Sequence, residues 1–141
     1  MLERRSPVNQ LIDNMLNERK QLLALLLQTS KLKLGNADGP DKDLLEEFCQ
    51  VLVDYIAAGH FGLYERISQG KERRRPIADM ARTLYPKIEQ STQVALEFSS
   101  KYNSERKKTG LNNLHIDLSI LGEALTTRIE MEDQLISRIL K

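Results

Sequence analysis

The spacing of apolar residues constrains this chain more than any other feature of its sequence. Apolar residues recur every three or four positions in four segments of helical length, and no stretch alternates with the period of a β-strand. Clusters of Gly, Pro, Asn and charged residues separate these segments at 35–41, at 70–76 and, more weakly, at 101–113. The pattern predicts an all-α protein with helices at about 7–34, 42–69, 77–102 and 114–140.

Four helices joined by short links favour an antiparallel up-down-up-down four-helix bundle. A chain of 141 residues has the length of one domain, so we expect residues 1–141 to form a single bundle. Hydrophobic residues make up 40% of the chain and charged residues 29%, a balance that excludes a disordered polymer and a membrane protein. The longest apolar block, at 22–27, is too short to cross a bilayer, and the N-terminus lacks the apolar run of a signal peptide. We therefore expect a cytoplasmic protein.

The net charge of +1 predicts no strong global attraction to nucleic acid or to acidic lipid. Basic residues are concentrated only in the turn at 71–75, which contains Lys71, Arg73, Arg74 and Arg75. This turn could contact phosphate groups, or it could be a solvated loop that caps the preceding helix. No aromatic residues are interleaved with the basic ones, which favours the solvated loop. A nucleic-acid-associated protein that uses the turn at 71–75 is thus the alternative, and we do not expect direct nucleic-acid binding.

Charged residues fall inside two of the apolar stripes, where packing alone would not select them. Arg19 lies within the stripe of the first helix, and Glu132 lies near the centre of the fourth, with Arg128 one turn earlier. In an antiparallel bundle the middles of these helices lie level, so the three side chains could form a buried, paired network that fixes helix register. The alternative is a ligand or metal site in the bundle core. Ferritin-like di-metal bundles need two Glu-x-x-His motifs, and this sequence contains none, so we predict no metal and no cofactor.

The sequence offers little for catalysis. Cys49 and His60 share a helical sector, but eleven residues at about 1.5 Å each separate them by roughly 16 Å, beyond hydrogen-bond reach. His115 could approach Cys49 only through tertiary packing, and a cysteine on a core stripe usually behaves as a small hydrophobic residue. The chain also lacks a phosphate-binding glycine loop. We therefore predict a protein that is not an enzyme and takes no small-molecule substrate.

The second helix presents an unusual outward face. Around Leu45, six residues lie within about 60° and form a core stripe: Phe48, Leu52, Ile56, Gly59, Leu63 and Ile67. The opposite side carries the acidic residues Glu47, Asp54 and Glu65 together with Phe61, with Ala57 and Ala58 between them. Such a face fits a basic, partly apolar partner. It also fits a single exposed phenylalanine, or a central helix covered on both sides.

Two stretches of the sequence resemble a known family. The segment at 48–67, FCQVLVDYIAAGHFGLYERI, is similar to the signature segment of the regulator of sigma D family, also called Rsd/AlgQ, and GEALTTRIEMEDQLI at 122–136 resembles its closing helix. The resemblance implies an all-helical cytoplasmic anti-sigma factor. Such a protein binds the C-terminal, promoter-reading domain of the primary sigma factor and so regulates transcription.

The resemblance also suggests which residues meet sigma. Asp54, Ala57, Phe61 and Glu65 fall at family positions on the sigma-facing side of the second helix. These residues belong to the outward face described above, and we expect Glu47 and Ala58 to extend it. The basic turn at 71–75 departs from the family pattern, so the resemblance implies no role for it.

Overall fold

A computed structural model of the chain describes residues 7–31, 40–60, 64–65, 74–102 and 113–139. Four α-helices account for nearly all of these residues: α1 (Pro7–Thr29), α2 (Pro40–Gly59), α3 (Arg75–Tyr102) and α4 (Leu114–Ile139). No β-strand occurs in the described ranges. The prediction of an all-α protein with four helices is confirmed.

The helix boundaries follow local chemistry. Both α1 and α2 begin at a proline, whose fixed φ suits the first helical position and whose missing N–H costs nothing there. The prediction extended α1 to Leu34, but the helix ends at Thr29 because Ser30 and Lys31 turn the chain. The Ser30 hydroxyl donates to the Leu27 carbonyl at 2.7 Å, and the Lys31 N–H donates to the Gln28 carbonyl at 3.1 Å. These bonds satisfy carbonyls that the helix end leaves without partners.

A single hydrophobic core lies between the helices. Each helix contributes side chains that are almost completely shielded from water, among them Met15 and Leu22, Phe48 and Leu52, Ile88 and Ala95, Leu121 and Leu125. On α1, the side chain of Ile12 is buried although that of Leu11 is 41% exposed. The core sector of α1 is therefore rotated toward Ile12, which also turns it toward Arg19.

Neighbouring helices pack in chain order, α1 on α2, α2 on α3 and α3 on α4. The rings of Phe48 on α2 and Phe98 on α3 meet edge to face, with their centroids 5.6 Å apart. Ile56, which comes after Phe48 in α2, lines the same cleft as Ile88, which comes before Phe98 in α3. Lys101 near the end of α3 pairs with Asp117 near the start of α4 at 2.8 Å. These contacts indicate that α2 and α3, and α3 and α4, run in opposite directions. The complete up-down-up-down order, including α1, stays a prediction.

Candidate functional site

Glu132 on α4 is the centre of a polar network inside the bundle. Its carboxylate is fully shielded from water. It accepts hydrogen bonds from side chains on α1, on α2, just beyond the end of α2 and on α4 itself. Arg19 Nη2 donates to Oε1 at 3.0 Å and Arg128 Nε to Oε2 at 3.0 Å. The Tyr64 hydroxyl donates to Oε2 at 2.8 Å, and the Tyr55 hydroxyl donates to Oε1. A buried carboxylate is tolerated when its lone pairs are occupied in this way.

Arg128 connects this carboxylate to α3. Its side chain is 1% exposed, and its Nη1 donates to the hydroxyls of Ser91 at 3.0 Å and Thr92 at 2.8 Å. Its guanidinium carbon lies 5.7 Å from the centroid of the Tyr55 ring and 5.4 Å from that of Tyr64. Both tyrosine faces are thus within cation–π distance of the buried charge.

Arg19 links the network to the surface. Besides Glu132, it binds Asp133 through Nη1 at 2.7 Å, and the Asp133 side chain is 56% exposed. The two arginines are balanced by two carboxylates, so the group has no net charge. The structure thus brings together Arg19, Arg128 and Glu132, the three residues that the sequence suggested for a buried network.

Sequence reasoning missed the two tyrosines. Tyr55 lies about 80° from Leu45 on a regular helix, outside the sector counted as core, and Tyr64 lies about 100° away. Both are nevertheless buried. Burial, followed by the charge of Glu132, raises the pKa of each phenol, so both hydroxyls keep their protons and remain donors. The signal available in the sequence was the inward position of Glu132, because a buried carboxylate needs hydrogen-bond donors from neighbouring helices.

Tyr64 lies beyond the regular part of α2. Regular α-helix ends at Gly59, and His60 and Tyr64 have the wider turn of a π-helix. The side chain of Tyr64 is 4% exposed and packs inside the bundle. Gly59 leaves room for the network, since a Cβ there would lie 3.2 Å from Arg128 Nη2 and 3.3 Å from Glu132 Oε2.

The outward face of α2 begins with exposed acidic residues. Glu47 and Asp54 are both exposed. Gln50, exposed between them, donates from Nε2 to Asp54 Oδ1 at 3.0 Å and so orients that carboxylate. These two carboxylates lie on the water-facing side of the helix, as the predicted phase requires.

Ala57 and Ala58 lie on opposite flanks of this acidic strip, and both are half-buried. Ala57 lines a cleft of about 250 Å³ between α2 and α3, together with Val53 and Tyr85. Ala58 packs against the hydrophobic core. The small side chains leave the surface low beside Asp54.

The remaining residues of the predicted face are described in part. Phe61 lies outside the described residues. Glu65 is half-buried and makes contacts of its own. The outward direction of Phe61 therefore stays a prediction.

The basic turn is also described in part. Lys71 and Arg73 lie outside the described residues, whereas Arg74 and Arg75 are exposed. Arg74 Nη1 donates to the Ile139 carbonyl at 3.3 Å. This carbonyl belongs to the last turn of α4, where a cation is favourable.

Comparison with known proteins identifies the family of this bundle. The family model described as "Regulator of RNA polymerase sigma(70) subunit, Rsd/AlgQ" matches residues 1–140. The chain belongs to the Rsd/AlgQ family.

Individual members of the Rsd/AlgQ family are similar over nearly the whole chain. A protein named "Regulator of sigma D" from Enterobacter sp. (strain 638) is 36% identical over 143 residues, which cover 97% of this chain and 84% of the relative. One of the same name from Yersinia enterocolitica is 36% identical over 132 residues, covering 91% and 79%. Another from Escherichia coli (strain K12 / DH10B) is 34% identical over 146 residues, covering 99% and 90%. Regulation of the sigma-70 subunit is the function that defines this Rsd/AlgQ family.

The chain's one cysteine lies inside the bundle. Cys49 is buried, and burial, together with the charge of Glu46, raises the pKa of its thiol to about 12. His60 is exposed and directly follows the last residue of the helix that carries Cys49. Within the described ranges, no three His, Cys, Asp or Glu side chains form a group that could hold a metal ion. None of the described helices is both long and apolar enough to span a membrane.

Proposed function

We propose that this protein is an anti-sigma factor that binds the C-terminal, promoter-reading domain of the primary sigma factor. Membership of the Rsd/AlgQ family over residues 1–140 is the observation that carries the proposal, because the family regulates sigma-70. A sigma-binding regulator acts where RNA polymerase acts, so we place this protein in the cytoplasm. It needs no cofactor for this role, since binding itself removes sigma from promoter recognition.

The proposed binding surface is the outward face of α2 together with two residues that follow the helix, and it comprises Glu47, Asp54, Ala57, Ala58, Phe61 and Glu65. A domain that reads DNA presents Lys and Arg to phosphate groups. Exposed carboxylates at Glu47 and Asp54 offer those cations an alternative partner. The low surface at Ala57 gives an approaching helix room to come close. In this proposal Phe61 anchors the contact and Glu65 extends it.

Substitutions on this face test the proposal. We expect Phe61→Ala to weaken binding of the sigma C-terminal domain by roughly thirtyfold or more, because truncating a central aromatic anchor commonly costs at least about 2 kcal/mol. Its thermal stability should stay nearly unchanged. Asp54→Ala should also weaken binding, and the loss should shrink as salt is raised, because salt screens its attraction to cations. Isothermal titration calorimetry beside a melting curve measures both effects.

Glu130→Ala is the matched control, because Glu130 is an exposed acid on α4 that lies outside the proposed surface. It should bind sigma normally. If Phe61→Ala binds normally but melts much earlier, Phe61 is a core residue and the interface lies on another helix. Tight, salt-sensitive binding to duplex DNA without binding to sigma would instead favour the basic turn at 71–75 as the active surface.

A further inference from the structure

The end of α2 is tied to the bundle interior through Tyr64. The Tyr64 side chain is 4% exposed, and its hydroxyl donates to Glu132 Oε2 at 2.8 Å. Its ring lies beside the Arg128 guanidinium at 5.4 Å. The next residue, Glu65, is half-buried and belongs to the proposed binding surface. A core carboxylate thus holds the immediate neighbour of a proposed sigma contact.

The backbone at His60 and Tyr64 needs a tertiary contact to stabilise it. The π-helical turn at His60 and Tyr64 makes poorer use of hydrogen bonds than the α-helix, and such turns persist where tertiary contacts favour them. The Tyr64–Glu132 bond is a contact of this kind, because it holds the Tyr64 side chain inside the bundle. The rotation of Tyr64 about the helix axis also sets the direction in which Glu65 points.

We infer that Glu132 and Tyr64 are positioning residues for sigma binding, because their hydrogen bond fixes the rotation of the helix end that presents Glu65. This inference rests on the proposed function. Neither residue needs to touch sigma. The bond orders the surface before the partner arrives. The free-energy cost of ordering it is then not subtracted from the binding free energy.

Tyr55 provides a matched control within the same network. Its hydroxyl donates to the other oxygen of Glu132, but Tyr55 lies in the regular part of α2. Tyr55→Phe and Tyr64→Phe each remove one buried phenolic hydroxyl from one carboxylate, so they should lower the melting temperature by similar amounts. Only Tyr64→Phe releases the helix end beside Glu65.

The test titrates the sigma C-terminal domain into the unmodified protein, Tyr64→Phe, Tyr55→Phe and Asp54→Ala. Tyr64→Phe should weaken binding by about fivefold or more, the cost of ordering roughly one side chain. Tyr55→Phe should stay within about twofold of the unmodified protein, because Tyr55, although it adjoins Asp54, lies in regular α-helix whose backbone hydrogen bonds already fix the direction of its neighbours.

Two further measurements separate positioning from loss of stability. In a Glu65→Gln background, Tyr64→Phe should weaken binding less than it does alone, whereas a purely structural effect would be additive. Amide hydrogen exchange at Tyr64 and Glu65 should accelerate in Tyr64→Phe, while exchange at 52–55 stays slow.

The outcomes distinguish this inference from the proposed function. Normal binding by Tyr64→Phe, with weak binding by Asp54→Ala, would overturn the positioning role and leave the proposed surface intact. Equal losses in Tyr55→Phe and Tyr64→Phe would also overturn it, because the effect would then be general destabilisation. If Asp54→Ala and Tyr64→Phe both bind normally, the proposed surface on α2 is itself wrong.

Discussion

A single carboxylate, Glu132, organises the interior of this protein. It accepts bonds from four donors on Arg19, Tyr55, Tyr64 and Arg128, and none of its surface meets water. Removing a buried charge destabilises the folded state, because its partners stay buried without the group that compensated for their loss of hydration. The stability of the network therefore depends on every member being present.

At the residue scale we expect Glu132→Ala to destabilise the fold by about 3 kcal/mol or more, because it leaves Arg128 buried without its carboxylate. Urea denaturation followed by circular dichroism measures the change in the free energy of unfolding. Asp133→Ala is the control, since this exposed neighbour binds the same Arg19, and it should cost below about 1 kcal/mol. A loss below roughly 0.5 kcal/mol for Glu132→Ala would show that the site is solvated.

At the scale of the helix, Gly59 shows how packing overrides helix propensity. A glycine inside a helix normally weakens it relative to alanine. At Gly59, however, an added Cβ would lie 3.2 Å from Arg128 Nη2, 3.3 Å from Glu132 Oε2 and 3.4 Å from a Tyr64 ring carbon. The network can make no room there without moving its own hydrogen-bonded groups.

Substitution by alanine should therefore have opposite effects on stability at the two glycines that lie in the described helices. We expect Gly59→Ala to destabilise the protein by about 1 kcal/mol or more, as overpacking does. Gly122→Ala should stabilise it by roughly 0.5–1 kcal/mol, because no atom lies within 4 Å of an added Cβ on α4. Thermal melts of the two variants against the unmodified protein decide the matter. Stabilisation by Gly59→Ala would show that the network tolerates a closer helix end.

At the scale of the whole molecule, Cys49 reports on the integrity of the fold. Its side chain is 4% exposed and lies in the common core. Its raised pKa of about 12 leaves little thiolate near neutral pH, so both access and ionisation oppose reaction. Only opening of the bundle restores an ordinary thiol.

We expect iodoacetamide at pH 8 to label Cys49 slowly in the native protein and quickly in urea. Mass spectrometry of the intact chain measures the extent of labelling over time. Glu132→Ala should speed native labelling, because a less stable bundle opens more often. Cys49→Ser should bind sigma normally. Rapid labelling of the native protein would instead show that Cys49 is accessible in the folded state.

The sequence by itself determined the four helices, the residue types of the core and the inward position of Arg19, Arg128 and Glu132. These features depend on local periodicity and on caps, which a single helix already expresses. It also carried the family, through long runs of similar residues. The tertiary structure alone decided that Tyr55 and Tyr64 complete the network, that a Cβ at Gly59 would press against it, and that regular α-helix ends at Gly59. These depend on how the helices are rotated and shifted against one another, because a donor on α2 finds Glu132 on α4 only after the bundle has assembled.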